Sequence, residues 1–290
     1  MMETLMRTAR PRVDVASAIP GLASLARTTV RLHPRRDRVP SIERSKIGGM
    51  FVWPADEPWP RCPEHDDYLV AVVQLAADEV PGLVMPEKVD LVQLLWCPRD
   101  HSEAESLVAH RVFWRNRLAI GEVLANQPQP REGDPEYWPA PCSVSPEQVV
   151  EYPSVFELPE EIAHQIEQSE ALTDATEDGD ALAAYQYWWS TATGTKAGGY
   201  VNWIQEAETP VCECGRPMEH LLTVASEEFD GETHLRWCPE EDKNIMEADY
   251  DARMRVQSAA GLLFGDAGSI YFFVCRSCPH WRVKSVFQCS

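Results

Sequence analysis

Two close cysteine pairs stand late in the chain, Cys212-Glu213-Cys214 and Cys275-Arg276-Ser277-Cys278. Two such pairs brought together make a four-sulfur set that holds one Zn²⁺ tetrahedrally at about 2.3 Å. With four thiolates no coordination position stays open, so the ion is structural and its binding energy is folding energy. Cys-x-Cys is a less usual spacing than Cys-x-x-Cys, and Cys238 is a substitute donor. A second, weaker set lies earlier: Cys62, His65, Cys97 and His101, with Glu64 and Asp100 as alternative donors. Mixed Cys/His donors bind zinc, although nothing in their spacing requires it.

Catalytic patterns fail on inspection, and no catalytic residue is assigned. His101-Ser102-Glu103 matches the opening of a zinc deaminase signature, but no Pro-Cys-x-x-Cys follows. His-Glu-x-x-His and Gly-x-Ser-x-Gly are absent from the sequence. Cys275-Arg276-Ser277-Cys278 follows a strand-like run and meets Pro279, whereas a redox pair opens a helix. The remaining cysteines, Cys142 and Cys289, read as packing residues or exposed thiols.

The elements that must position these donors occur twice. Ser45-Lys46-Ile47-Gly48-Gly49-Met50-Phe51-Val52-Trp53 is matched 150 residues later by Thr195-Lys196-Ala197-Gly198-Gly199-Tyr200-Val201-Asn202-Trp203. A gapless register places Trp53 on Trp203, Cys62 on Cys212 and Tyr68 on Met218. Each copy later reaches an apolar run ending in cysteine, Leu91–Cys97 and Ile270–Cys275. Internal similarity of this kind implies a duplicated unit whose halves pack together. The paired glycines do not make a phosphate loop, because the lysine precedes them and no Gly-Lys-Ser/Thr follows. They imply a turn needing positive φ before a strand.

The formal charge of −20 excludes nucleic acid and anionic membrane as main partners and favours a basic protein. No apolar run reaches the ~18–20 residues of a membrane span, and Pro11, Asp14 and Pro20 interrupt any export segment. Nine cysteines without such a segment favour metal ligands over disulfides and place the chain in the cytoplasm.

Four segments follow. Residues 1–44 form a basic, solvated arm carrying one strand over Thr28–His33, then a turn at Pro34–Arg38. Residues 45–126 are the first pseudo-repeat, with strands over Tyr68–Leu75, Leu91–Trp96 and Leu107–Trp114, and Trp59 as a lid. Residues 127–194 are a Pro-rich connector: Pro146–Tyr152 is irregular, helices start at Pro159 and Ala181, and Asp174–Asp180 is an acidic loop. Residues 195–290 are the second pseudo-repeat, with strands over His220–Val224, through Trp237, over Ile270–Val274 and over Trp281–Cys289. Cys238–Arg255 is helical in part. The expected fold is α+β, strand-rich and mostly antiparallel.

Ser45-Lys46-Ile47-Gly48-Gly49, Trp53-Pro54, Glu57-Pro58-Trp59-Pro60, Gln74-Leu75 and Gly265-Asp266-Ala267-Gly268-Ser269-Ile270-Tyr271-Phe272-Phe273 resemble the YwqG-like family of bacterial proteins. The cysteines make the chain similar, more distantly, to the programmed-cell-death-two family, which pairs a Gly-Gly-x-x-x-Trp segment with Cys-x-x-Cys elements. The resemblance covers 42–101 and 195–289. It implies a strand-rich fold without an established enzymatic activity, and relatives that escort a basic ribosomal protein; the zinc finger those relatives carry as an insertion has no counterpart here. The expected function is a non-enzymatic, zinc-stabilised module that binds a basic protein, chaperone-like or immunity-type. The competing expectation is an enzyme or small-ligand binder using a cleft lined by Trp53, Trp59, Trp96 and Trp203.

Overall fold

The computed structural model describes residues 7–36, 40–101, 107–176 and 179–290. Asp37 and Arg38 of the expected turn, Ser102 and Glu103 of the deaminase-like tripeptide, and Glu177 and Asp178 of the acidic loop lie outside them. In chain order the strands are β1 (Arg27–Arg31), β2 (Lys46–Ile47), β3 (Val70–Ala76), β4 (Leu91–Trp96), β5 (His110–Arg115), β6 (Cys142–Ser143), β7 (Glu147–Glu151), β8 (Lys196–Ala197), β9 (Glu219–Ala225), β10 (Ser269–Val274) and β11 (Val283–Gln288). They form a five-stranded sheet ordered β5-β4-β3-β2-β6 and a six-stranded sheet ordered β11-β10-β9-β8-β1-β7. Every pairing in both is antiparallel. Helices α1 (Val15–Ala18), α2 (Glu160–Glu167), α3 (Glu170–Thr173), α4 (Ala181–Ala184), α5 (His234–Trp237) and α6 (Tyr250–Gln257) are short. The α+β, strand-rich, antiparallel expectation holds.

The sheets share one core. Val92, Leu94 and Trp96 of β4 meet Ile270, Phe272 and Val274 of β10 in a single apolar cluster. Alternation sends Leu95 to the opposite face, against Trp53 and Trp59, and Tyr271 and Phe273 against Trp203. Both faces of β4 and β10 are therefore buried, which is why β10 reads as an apolar run over Ile270–Val274 and β4 as one broken only by the buried, hydrogen-bonded Gln93.

The two sheets also carry the same irregularity at the same place. A bulge leaves Val72 of β3 unpaired between Ala71 and Val73, and another leaves Leu221 of β9 unpaired opposite Phe272 and Phe273. The extra residue flips side-chain parity, so Val70 and Val72, then Val73 and Leu75, all reach the shared core. The freed carbonyls are taken by the glycine turns: Gly48 N–H donates to Val72 O (2.8 Å) and Gly198 N–H to Leu221 O (3.0 Å). Gly48, Gly49, Gly198 and Gly199 all have positive φ, as the glycine pairs imply.

Several expectations need correction. The N-terminal segment is no solvated arm. β1 lies inside the six-stranded sheet between β8 and β7, and Arg31 is 1 % exposed. Its guanidinium donates to Trp237 O (2.8 Å), Thr8 Oγ1 (3.0 Å), Thr193 O (3.3 Å) and Glu228 O (3.3 Å), so it is satisfied where it is buried. Val15, Ile19 and Leu22 pack on Ile162, Ile166, Tyr185 and Trp189 of the connector in a second, helical core. The stretch expected to be irregular contains β7, held by pairing with β1. The stretch running through Trp237 is helical, because the Asp230 carboxylate accepts from Glu232 N–H (2.8 Å) and Thr233 N–H (2.7 Å) and turns the chain.

Beneath the second glycine turn sits a buried ion pair. Lys196 Nζ donates to Glu151 Oε2 at 2.7 Å, and neither side chain is exposed. The carboxylate also accepts from Ala192 N–H (2.8 Å) and Tyr200 N–H (2.5 Å). Burial pushes Glu151 up and Lys196 down, and their attraction opposes both shifts. Gly199 has to be glycine: a Cβ there would overlap Glu151 Oε1 and the Thr29 side chain. Lys46, at the matching position, is equally buried but bonds the carbonyls of Ser41 and Met50 instead.

Removing one member of a buried pair strands the other charge, a loss of about 3–5 kcal/mol. Lys196→Met and Glu151→Gln should each lower unfolding free energy by that order in urea, and the Lys196→Met/Glu151→Leu double variant by less than the sum. A second prediction concerns acid. His33 is buried, and burial followed by the neighbouring Arg31 pulls it down to about 4. Burial works against the Glu147 carboxylate, but hydrogen bonds from His33 and Thr8 outweigh it and hold it at about 2. Unfolded chains bind the extra proton first in both cases, so stability falls as pH drops from about 6.5 to 4 through His33 and from about 4.5 to 2 through Glu147. The His33 contribution is at most about 3 kcal/mol. His33→Gln, which keeps a donor to Glu147, should flatten the upper window and leave the lower one.

Candidate functional site

The two cysteine pairs of the second half converge. Cys212 Sγ lies 3.6 Å from Cys278 Sγ, and Cys214 Sγ lies 3.7 Å from Cys275 Sγ. All four sulfurs fall within 4.8 Å of one another. Tetrahedral zinc with bonds of about 2.3 Å separates its sulfurs by about 3.8 Å, so the donor set has the size of that polyhedron. A disulfide needs about 2.05 Å, and all nine cysteines are free thiols.

The weaker candidate set converges as well. Cys62 Sγ lies 3.3 Å from His101 Nε2 and 3.7 Å from His65 Nδ1, which is 3.3 Å from Cys97 Sγ. These four ligand atoms also lie within 4.8 Å of one another. His65 turns its Nε2 toward Glu64 (3.7 Å), while the buried Nδ1 of His101 has no hydrogen-bond partner among the described residues. Each ring therefore offers a different nitrogen to the centre. Glu64 and Asp100 are not among the four gathered donors, and the two Cys/His clusters are groups that could hold a metal ion.

Matching loops build both clusters. The first donor pair sits in a turn closed by Cys62 N–H to Asp67 O (2.7 Å) and Leu69 N–H to Pro60 O (3.0 Å). Its counterpart is closed by Cys212 N–H to Arg216 O (2.9 Å) and Met218 N–H to Pro210 O (3.0 Å). Met218 thus takes the place of Leu69, not of Tyr68, and the gapless register expected from the sequence slips by one residue inside this loop. The shorter loop brings its second donor one position earlier, which is the physical origin of Cys-x-Cys where the other copy has Cys-x-x-His. The second donor pair follows β4 or β10, where Cys97 N–H donates to Ala109 O (2.9 Å) and Cys275 N–H to Arg282 O (2.9 Å).

Four thiols this close resist ionising together. Hydrogen bonds with Cys212, Cys214 and Cys275 push Cys278 up to about 12, whereas the Cys214 backbone N–H draws Cys212 down to about 7. Burial, with Cys62 beside it, pushes Cys97 up to about 12. A divalent cation at the centre reverses this balance and favours the thiolates. Four thiolates around one divalent ion leave a net double negative charge, and the loops that carry them hold three arginines. Arg216 donates to Ser277 Oγ (3.0 Å), tying the two loops together, and Arg276 and Arg282 pair with Glu219 and Glu213. Two thiolates and two imidazoles leave no net charge, and arginines also flank that site: Arg61 pairs with Asp66, Arg99 with Glu132 and Arg131 with Asp67. Arg216, Arg276 and Arg282 carried no signal of their own in the sequence beyond their place between cysteines.

Cys238 is not a substitute donor: it packs with Phe229 and Trp237, and its thiol donates to Asp242 O (3.4 Å). Cys142 is buried in β6 and donates to Ala259 O (3.3 Å), while Cys289 is half-buried. The tryptophan cleft is overturned. Trp53, Trp59, Trp96 and Trp203 are each 5 % exposed or less, and they fill three separate apolar clusters rather than lining one space. Trp59 covers Trp53 with ring centroids 4.8 Å apart, as a lid should.

Residues 45–277 match the family described as Domain of unknown function (DUF1963), and the chain belongs to that family. The match runs through the Pro-rich connector as well as both glycine turns, so 127–194 is part of the family's domain. No curated protein matches the chain. Among the described residues no helix is long and apolar enough to cross a membrane.

Two donor sets that could each hold an ion set an expected stoichiometry of two per chain. Elemental analysis of the purified protein should find that stoichiometry, with Cys275→Ser and Cys97→Ser each removing one ion and leaving the other. Unchanged metal content in both variants would refute the assignment.

Proposed function

We propose that this chain is a non-enzymatic binding scaffold, braced by structural zinc, that holds a basic protein partner. The tetrahedral spacing of Cys212, Cys214, Cys275 and Cys278 supports zinc, because a closed four-sulfur set matches that ion's softness and geometry. Zinc bound there would join the loop before β9 to the loop after β10. A Cys62/His65/Cys97/His101 ion would do the same for β3 and β4. Neither site would leave a coordination position for substrate, so the chemistry supplied is cross-linking.

Two sheets with the same glycine turn, bulge and donor loops support an origin by duplication of one unit, and with it the resemblance to the YwqG-like and programmed-cell-death-two families. A net charge of −20 supports a basic partner, and the escort of a basic ribosomal protein by the latter family fits that sign. Purified basic ribosomal proteins, titrated one at a time against the full chain, test the reading. Binding should weaken steeply as ionic strength rises past about 0.1 M, where charges further than about 10 Å apart are screened. A panel with no binder, or a binder indifferent to salt, would overturn it. Elemental analysis should identify zinc, and a chelator should lower the melting temperature.

A further inference from the structure

The two glycine turns differ in what lies on them. In the five-stranded sheet, the backbone of Pro139-Ala140 crosses Gly48 so closely that a Cβ there would sit 2.7 Å from Pro139 O, and Pro141 abuts Gly49. That segment leads into β6, which pairs with β2 as Ile47↔Cys142 and Lys46↔Ser143. The same pairing recurs in the other sheet between β8 and β1, as Ala197↔Val30 and Lys196↔Arg31. Counting back from it, Arg27-Thr28-Thr29 occupy the places of Pro139-Ala140-Pro141. Thr29 abuts Gly199 as Pro141 abuts Gly49. Beyond that point the chains part. Arg27 and Thr28 stay in the sheet, paired with Glu151 and Val150 of β7, and do not fold across the turn. A Cβ at Gly198 would meet nothing within 4 Å.

The space left over Gly198 is a cleft of about 660 Å³, floored by Leu221 and Phe273 and walled by Val84, Arg27 and Tyr200. Its volume falls within the range of about 300–1,000 Å³ typical of ligand sites. The polar groups at its base are spent. His220 Nδ1 bonds Gly198 O (3.0 Å) and its Nε2 bonds Thr223 Oγ1 (2.9 Å), while the Tyr200 hydroxyl donates to Leu25 O (2.9 Å). Burial keeps His220 neutral, with its proton on Nδ1 because Gly198 O can only accept. The rest of the lining sets charged groups beside this apolar surface: Glu219 and Arg276, which pair with each other, and Glu157, whose carboxyl burial pushes up.

We propose that the cleft over Gly198 binds an extended, proline-containing peptide segment of a partner protein, laid across the turn as Pro139-Ala140-Pro141 is laid across Gly48. Glycine at the floor lets a backbone approach closely. A proline-set extended segment, already short of conformational freedom, docks on aromatic and apolar walls of this kind. The inference deepens the protein-binding reading by naming the element recognised.

The probe is the chain's own covering sequence, a synthetic Tyr-Trp-Pro-Ala-Pro-Ser-Ser peptide corresponding to 137–143 with serine for Cys142. Titrated into the full-length protein and followed by backbone amide NMR, it should bind saturably and shift Gly198, Tyr200 and Val84. Affinity should change little with salt, in contrast to the basic partner. Val84→Glu, at a position 54 % exposed, should weaken it by about tenfold or more, as should replacing both prolines by alanine. Gly198→Ala should do the same, with a thermal melt to confirm folding at its positive φ. Absence of binding, or equal affinity in Val84→Glu or for the alanine peptide, would overturn the proposal. Salt-sensitive capture of a basic protein that persists in Val84→Glu would leave the wider reading standing while this one falls.

Discussion

A lysine and a glutamate with no side-chain exposure anchor the layout of the larger sheet. Glu151 ends β7, Lys196 opens β8, and β1 runs between them. The carboxylate bridges that gap, and its remaining lone pairs take the N–H groups of Ala192 and Tyr200 on either side of the glycine turn. An unpaired charge here would be costly, so the position of each partner is over-determined. Gly199 is bare because the carboxylate fills the volume a side chain would need. The first half reaches the same turn without this pair, with Lys46 capped by carbonyls, and its turn is covered by the connector.

The two Cys and Cys/His clusters sit on the outside of the same frame. Each sheet has its inner face on the shared core and its outer face under a tryptophan, and each cluster closes the rim of that outer layer. Donor loops precede β3 and β9 and follow β4 and β10, the strands buried on both faces. Small loops that bury little apolar surface of their own would gain order from cross-linking by a metal ion held there. The difference in loop length, Cys62 to Asp67 against Cys212 to Arg216, sets where the second donor falls.

Much of this was legible in the primary structure, for reasons that differ by element. β4 and β10 show as apolar runs because both faces are buried, and the glycine turns show because positive φ leaves few residues to choose from. The eight side chains that could hold metal show by type and by spacing within each loop. β7 was misread because its apolar signal is weak: Glu147, Gln148 and Glu151 are polar, and only pairing with β1 makes it a strand. Arg31 and Glu151 look like surface residues, since nothing local says that partners from distant segments will satisfy them. The tryptophans, read as a cleft, are core because each sheet has two faces to cover.

By itself the sequence determined local matters: which residues can turn with positive φ, which runs must be buried, which side chains can share an ion. Those follow from side-chain chemistry within a few residues. Tertiary structure alone decided that 27–31 belongs to the second sheet, that the donor register slips by one residue, and that one glycine turn is covered while its twin lies open. The first rests on pairings between distant segments, such as Val30 with Ala197, and the last on Ile47 with Cys142, while the slip is closed within each loop by Cys62 with Asp67 and Cys212 with Arg216. Such pairings are chosen by the packing of the whole, because antiparallel edges are chemically alike until the core selects among them.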